Sequence, residues 1–202
     1  DGTQLSSATP INVVQEYTWS MAGQGDYDGD GKSDIFWRNS DTGKNFIYLM
    51  DGASIKERYA LNYVTAGIWE LAGSGDFNGD GTGDVLWRNT SRGDTWFYMM
   101  NNGYIGTSQP SLWVTDLNYK IAATGDLDGD GNDEVLVVDL LADITTQRLV
   151  MYQGPISSST QAKVMSLGPS TTARYLEVRI GDWGESQVGG TTGSCTDEDA
   201  WL

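Results

Sequence analysis

One segment of about fifteen residues occurs three times in this chain, at intervals of fifty residues. It reads GDYDGDGKSDIFWRN from Gly25 to Asn39 and GDFNGDGTGDVLWRN from Gly75 to Asn89. A looser copy, GDLDGDGNDEVLVVD, runs from Gly125 to Asp139. A period of this length indicates a repeat architecture in which similar units stack side by side. Each unit carries its own acidic, glycine-rich loop.

Oxygen-bearing side chains fall on alternate positions of each loop. This spacing brings positions 1, 3, 5 and 9 to one centre, position 7 offers its main-chain carbonyl, and glycine at position 6 permits a sharp turn. Oxygen ligands alone point to Ca²⁺, because Mg²⁺ resists losing water and softer metals prefer histidine or cysteine. Three calcium sites are predicted, with ligands Asp26, Asp28, Asp30, Lys32 and Asp34; Asp76, Asn78, Asp80, Thr82 and Asp84; and Asp126, Asp128, Asp130, Asn132 and Glu134.

The loops have two other interpretations besides calcium binding, an EF-hand and an acidic turn without an ion. An EF-hand loop needs a bidentate glutamate at position 12, where this chain has Trp37, Trp87 and Val137. An acidic turn without an ion is the simpler alternative, since Asp and Gly are common turn residues. Three copies with matching carboxylates favour the metal, because clustered anions repel one another unless a cation is present.

The segments around the loops predict strands, since β-branched and aromatic runs lack helical spacing. Four antiparallel strands in about fifty residues describe one blade of a β-propeller. The predicted strands are 19–25, 34–39, 45–50 and 55–64; 69–75, 84–89, 95–100 and 104–114; and 119–125, 134–139, 147–152 and 162–167. The predicted fold is all-β: a complete or partial β-propeller of about three complete four-stranded blades, with split or incomplete blade strands at both ends.

Recurring aromatic and arginine residues allow a structural and a ligand-binding interpretation. Flat rings pack adjacent blades together or stack on a sugar, and packing is favoured because strand positions must first fill a core. The aromatic positions are Trp19, Trp69, Tyr119, Trp37 and Trp87. Arg38 and Arg88, each followed by Asn, are predicted to bind a local carboxylate or carbonyl. Small pairs such as Ala22-Gly23 are predicted where blades crowd around a channel.

The two WRN-containing segments resemble the FG-GAP or VCBS repeats of integrin-α-like β-propellers, and the resemblance extends from Trp19 to about Leu167. It implies calcium loops between the first two strands of each blade. It also implies an extracellular or cell-surface, secreted module for adhesion, lectin activity or surface recognition, sometimes attached to an enzyme. The third segment departs from the pattern by lacking Trp and Arg after its loop.

The repeat phase also predicts where the units begin and end. The predicted units are 1–17, the outer strand of an incomplete blade; blades 18–67, 68–117 and 118–170; and 171–202, a partial degenerate blade and tail without a calcium site. Two arrangements stay open: a fragment of a longer propeller, which is favoured, or a ring in which the first strand completes the last blade. In the fragment, a second chain or copy is expected to cover the exposed edges.

Charge and composition exclude several functions. A formal charge of −16 argues against nucleic acid, and no run of about twenty apolar residues predicts membrane insertion. The chain has no histidine, and its paired carboxylates are assigned to metal, so no enzyme is predicted. The leading prediction is a non-catalytic, calcium-binding module that recognises a protein or carbohydrate ligand. The alternatives are a calcium-dependent lectin or the accessory propeller of a larger secreted enzyme.

Overall fold

The computed structural model describes residues 16–110, 114, 116–139, 148–154 and 162–166. This part of the chain forms twelve strands and contains no helix. The strands are β1 Trp19–Gly25, β2 Asp34–Asn39, β3 Asn45–Asp51, β4 Ser54–Leu61, β5 Trp69–Gly75, β6 Asp84–Asn89, β7 Thr95–Asn101, β8 Tyr104–Pro110, β9 Tyr119–Gly125, β10 Glu134–Asp139, β11 Arg148–Tyr152 and β12 Ala162–Ser166.

The strands pair in chain order into three antiparallel sheets, β1–β4, β5–β8 and β9–β12. Each acidic loop joins the first two strands of its sheet. A bulge interrupts the first pairing of every sheet, at Ala22, Ala72 and Ala122. A second bulge interrupts the last pairing of the first two sheets, at Lys56 and Gly106. The all-β prediction and the assignment of four strands to each repeat are confirmed.

Consecutive sheets pack face to face through two hydrophobic clusters. Phe36 and Ile47 of the first sheet pack with Val85 and Trp87 of the second. Leu86 of the second sheet belongs to another cluster, shared with the third. Because side chains alternate across a strand, neighbouring residues of the middle sheet enter different clusters. The predicted packing role is confirmed for Trp87, and Trp69 and Tyr119 also pack against these clusters.

The two remaining aromatic residues make their ring contacts within their own sheet. The Trp19 ring lies 5.5 Å from Phe46, and the Trp37 ring lies 5.9 Å from Tyr48. Trp37 is half-buried, whereas Trp87 at the same position of the next repeat is 1% exposed. The difference arises because the first sheet covers Trp87, while no described sheet precedes the one that carries Trp37.

Small residues allow the first strands of neighbouring sheets to approach one another. A Cβ atom on Gly23 would lie 3.2 Å from Leu71, and one on Gly73 would lie 2.5 Å from Thr124. Thr124 Oγ1 also donates a hydrogen bond to the Ser74 carbonyl at 2.9 Å. The predicted crowding along β1, β5 and β9 is therefore confirmed.

The predicted strand 55–64 extends too far. β4 ends at Leu61 because the chain then turns away from the sheet: the Asn62 carbonyl accepts a hydrogen bond from Asn45, and the Val64 N–H donates to Gly43. The other strands differ by a few residues at their ends. Of the second predicted outer strand, 104–114, β8 covers Tyr104–Pro110, residues 111–113 are outside the described part of the chain, and Val114 is not in a strand. Residues 1–15 of the unit predicted at 1–17, and the whole unit predicted at 171–202, lie outside the described residues.

Candidate metal centre

Each acidic loop is wound around the carboxylate of its first aspartate. Asp26 Oδ1 accepts hydrogen bonds from the main-chain N–H groups of Gly29 and Asp30 at 2.8 and 3.0 Å, and Oδ2 accepts one from Gly31 at 2.7 Å. The φ angle of Gly31 is 81°, a left-handed conformation that suits glycine. Bonds from the glycines at positions 4 and 6 recur in the other two loops. The predicted turn at position 6 is confirmed.

The carboxylate at position 9 ties each loop to the next two strands. Asp34 Oδ2 accepts from Tyr27 N–H at 2.9 Å, and Oδ1 accepts from Met50 N–H at 2.8 Å. Asp84 makes the equivalent pair of bonds in the second sheet. Glu134 does the same in the third, because its longer side chain reaches Leu127 and Gly154 at 2.8 and 3.1 Å. All three carboxylates are buried.

Predicted ligand atoms converge in the first and third loops. Oxygen atoms of Asp26, Asp28 and Asp34 lie within 4.8 Å of one another. The third loop has the same arrangement, with Asp126, Asp128 and Glu134. In the second loop the described residues form no such three-carboxylate group, because Asn78 stands at position 3.

In each loop, the predicted ligand residues at positions 5 and 7 are hydrogen-bonded to each other. The position-5 carboxylates accept hydrogen bonds from the N–H groups at position 7. The predicted use of the carbonyls of Lys32, Thr82 and Asn132 as metal ligands stays a prediction. The position-5 residues are Asp30, Asp80 and Asp130.

An orphaned oxygen atom supports the fit between the third loop and a cation. Asp128 Oδ1 is buried and has no hydrogen-bond partner in the described part of the chain. Such an atom is costly, since a buried acceptor that loses water normally gains another partner. The Asp128 carboxylate belongs to the converging group with Asp126 and Glu134. A bound cation would satisfy this oxygen.

Burial disfavours the charged form of the position-9 carboxyl groups. Burial, with the nearby charges of Asp80 and Asp76, raises the pKa of Asp84 to about 7. Burial also raises the pKa of Asp34 and that of Glu134, with smaller contributions from other carboxylates of the same loops. A cation among these oxygens would favour the ionised form of each group.

Main-chain hydrogen bonds connect neighbouring loops. Gly83 N–H donates to the Asp26 carbonyl at 2.6 Å, and Asp133 N–H donates to the Asp76 carbonyl at 2.7 Å. The Asp133 carboxylate also accepts from Asp76 N–H at 2.6 Å. Asp133 was not predicted as a link between loops, because its position in the loop is serine in the first repeat and glycine in the second. The three loops therefore lie in a row along one edge of the stacked sheets.

A lysine that the sequence analysis also missed reaches the first loop. Lys56 Nζ lies 2.7 Å from Asp28 Oδ2 and 3.2 Å from Asp30 Oδ2. Lys32 Nζ lies 3.4 Å from Asp30 and 3.2 Å from Asp51. Lys56 is thirty residues from the start of the loop and follows an ordinary hairpin, so the motif alone gave no signal for it.

The Trp-Arg-Asn triplet serves the framework rather than an open site. Arg38 donates to the carbonyls of Val64 and Trp69 at 3.2 and 2.9 Å, and Arg88 donates to the Tyr119 carbonyl at 2.7 Å. The predicted role of both arginines as local structural partners is confirmed. Each joins its own sheet to the first strand of the next one. The following asparagines, Asn39 and Asn89, accept main-chain hydrogen bonds in the adjacent turn.

An aromatic cleft lies between the second sheet and the segment that connects β4 to β5, apart from the loops. Its volume is about 280 Å³, and its lining includes Tyr63, Trp69 and Trp96. Trp96 Nε1 donates to Ser108 Oγ at 2.8 Å. Trp87 also lines the cleft, and its buried Nε1 has no partner among the described residues. Flat rings with a hydrogen-bond donor are suited to the ring face and hydroxyl groups of a sugar.

These observations define an all-β repeat protein with one acidic loop between the first two strands of each sheet. The family model for the FG-GAP-like repeat matches residues 26–87 and 76–137. The chain belongs to this family. The two matches together span more than half of the chain and include all three loops.

Individual known proteins are less informative about this chain than the family model is. No curated protein matches the chain. One similar solved structure is the V. cholerae biofilm matrix protein Bap1, with 20% sequence identity and a TM-score of 0.30. That match covers 66% of this chain and 27% of the Bap1 chain, so the chain spans about a quarter of Bap1. Within the described ranges, no helix has the length and apolar character needed to cross a membrane.

Proposed function

We propose that the three loops bind Ca²⁺ and stiffen a non-catalytic extracellular module that recognises or adheres to a partner surface. The observation that carries the proposal is the unpartnered Asp128 Oδ1 within a converging group of three carboxylates. Acidic turns without an ion account for the hydrogen bonds around Asp126, but they leave this oxygen without a partner. The same loop design occurs in two further copies, which favours a shared ligand.

The donor set favours calcium over other metals. The predicted ligands are carboxylate, amide and main-chain oxygens, and the chain has no histidine. Ca²⁺ accepts six to eight such oxygens in flexible geometry, whereas Mg²⁺ retains waters and requires a near-ideal octahedron. Asp26, Asp28 and Asp34 would hold the ion in the first loop, with Asp126, Asp128 and Glu134 in the third. Bound calcium would supply positive charge there and no redox chemistry.

Calcium bound in the loops would order the neighbouring loops as well as its own. Asp34 already joins its loop to Tyr27 and Met50, and the loops bond to one another through the Asp26 and Asp76 carbonyls. An ion that fixes one loop therefore fixes part of its neighbour. The surface formed by the row of loops would be ordered before a partner binds, which lowers the entropic cost of recognition.

We also propose that the three sheets are consecutive blades of a β-propeller. The support is their repeated face-to-face packing and the close approach of β1, β5 and β9, the first strand of each sheet. First strands that approach in sequence are the arrangement expected around a central axis. The partner is a protein or carbohydrate surface outside the cell, where calcium is abundant enough to fill loops of this kind.

Calcium binding is tested by calorimetric titration together with thermal unfolding of the whole chain. At a concentration ten times its dissociation constant, calcium should stabilise the fold by roughly 1.4 kcal/mol for each occupied site. Chelation should lower the melting temperature correspondingly. Asp128→Asn should weaken one site, while Asp41→Asn, the same change in an exposed turn, should leave the titration unchanged. The proposal would be contradicted if the titration gave no heat of binding and the melting temperature were the same in calcium and in chelator.

The aromatic cleft supports carbohydrate recognition as a second candidate function. Trp96 is half-buried and lines the cleft, so its ring is available to a ligand while it still packs on the sheet. The test is a printed glycan array probed in the presence of calcium. Trp96→Ala should reduce the signal of any bound glycan about two- to tenfold, because loss of a stacked ring costs roughly 0.5–1.5 kcal/mol. An array without signal, from protein shown to be folded, would exclude this candidate.

A further inference from the structure

Lys56 places a positive charge against the first acidic loop. It lies at the bulge in β4, which is an edge strand, and its ammonium contacts Asp28 at 2.7 Å and Asp30 at 3.2 Å. The Asp28 side chain is 3% exposed, whereas that of Lys56 is 43% exposed, so water reaches the pair from the lysine side. An exposed lysine carries its charge at neutral pH, so the two carboxylates face a full positive charge.

The charged groups around the other two loops differ from those around the first. The bulge of the second repeat is Gly106, which has no side chain, and Asn78 replaces the carboxylate at position 3. In the third repeat, the neutral amide of Gln153 donates to Asp128 Oδ2. At the predicted ligand positions, the first loop thus has four carboxylates, with Lys56 against two of them and Lys32 3.4 Å from Asp30. At the same positions the second loop has three carboxylates, and the third has four, one of which accepts a hydrogen bond from a neutral amide.

We propose that Lys56 is an internal counter-ion that competes with Ca²⁺ for the first loop, making it the weakest of the three sites and keeping it ordered without metal. The inference rests on the proposed calcium binding. Asp28 and Asp30 stand at predicted ligand positions, and an ammonium group held against them repels a divalent cation that binds the same carboxylates. Calcium therefore binds the first loop against this repulsion unless Lys56, which is 43% exposed, turns into solvent.

The test compares Lys56→Met with Lys44→Met in calcium titrations of the whole chain. Methionine keeps much of the lysine stem and removes its charge. Lys44 is exposed in the turn before β3, at the opposite end of the sheet, and provides the same change in net charge. NMR signals of the Gly31, Gly81 and Gly131 amides report each loop separately, because these N–H groups bond to carboxylates in the loops.

In the unaltered chain, Gly31 should respond at higher calcium than Gly81 and Gly131. Lys56→Met should strengthen binding at the first loop by roughly tenfold and leave the other two unchanged, as expected for removing one nearby charge. In chelator, the same variant should melt about 2 °C lower than Lys44→Met, because Asp28 and Asp30 have lost the nearest ammonium group and only Lys32 remains beside Asp30. Gly106→Lys should weaken the second loop in the same way that Lys56 weakens the first.

Two results separate the failure of this inference from the failure of calcium binding. If the second and third loops bind calcium and Lys56→Met leaves the Gly31 response unchanged, Lys56 is no competitor and only this inference is overturned. If no glycine amide responds to calcium in any variant, the proposed calcium function and the competition both fall. An unchanged melting temperature of Lys56→Met in chelator overturns the counter-ion role directly.

Discussion

Replacing Trp87 with alanine is expected to lower the free energy of unfolding by about 3–5 kcal/mol, the usual loss for a large aromatic side chain in a core. Trp87 is 1% exposed and packs between two sheets. Its ring centre lies 5.8 Å from those of both Phe36 and Tyr98, and the Arg38 guanidinium lies 4.9 Å from it. Urea denaturation monitored by circular dichroism measures the loss.

Trp37→Ala is the matched control, because Trp37 occupies the same position one repeat earlier. Its ring is half-buried and contacts Tyr48 of its own sheet. The expected loss is about half that of Trp87→Ala or less, since less apolar surface returns to water. Equal losses from the two variants would contradict a packing role set by the neighbouring sheet.

The same comparison shows how far the sequence predicts the fold. The motif and its fifty-residue period predicted all twelve strands and their grouping into four-stranded sheets, because strand pattern and turn residues act locally. They could not distinguish Trp37 from Trp87, which stand in almost identical local sequences. The surroundings of each ring depend on whether another sheet lies against it. Whether another sheet covers the ring depends on where the repeat stands in the stack of sheets, and the repeat motif does not encode that position.

The candidate metal site also has features that the sequence predicted and features that it did not. Alternating oxygens predicted the carboxylates that converge in the first and third loops, and the glycine at position 6 predicted the turn. The charges around the loops were not predictable in this way. Lys56 reaches the first loop because a bulge in β4 redirects its side chain, and Asp133 binds a neighbouring loop because the sheets stack. Both contacts depend on register and packing between distant segments, which composition and spacing leave open.

The strongest polar connection between the first two sheets is expected to be Arg38. Arg38→Met should lower the free energy of unfolding by about 3 kcal/mol, since it leaves buried acceptors without a charged donor. Arg38 is 8% exposed. Its guanidinium donates to Asn45 Oδ1 at 2.9 Å, to the Val64 carbonyl at 3.2 Å and to the Trp69 carbonyl at 2.9 Å. Methionine preserves the apolar stem, so urea denaturation isolates the loss of these bonds.

Arg92→Met is the control for removing an arginine charge. Arg92 pairs with Asp94 at the surface and its side chain is 69% exposed, so its loss should change stability by no more than about 0.5 kcal/mol. Arg38→Lys should recover only part of the stability, because an ammonium group cannot present the planar fork that reaches acceptors on both sides of the connection. Full recovery would show that charge rather than geometry joins the sheets.

A second measurement locates the effect of Arg38→Met. The segment between β4 and β5 contains Tyr63, an exposed residue at which chymotrypsin can cut once the surrounding backbone opens. Arg38 holds this segment through the Val64 and Thr65 carbonyls, so its removal should accelerate cleavage after Tyr63 beyond what the global loss of stability produces. Trp87→Ala provides the comparison, because it weakens the same interface without removing those bonds. Equal cleavage rates in the two variants, once matched for stability, would mean that Arg38 contributes through general packing and does not anchor the connection itself.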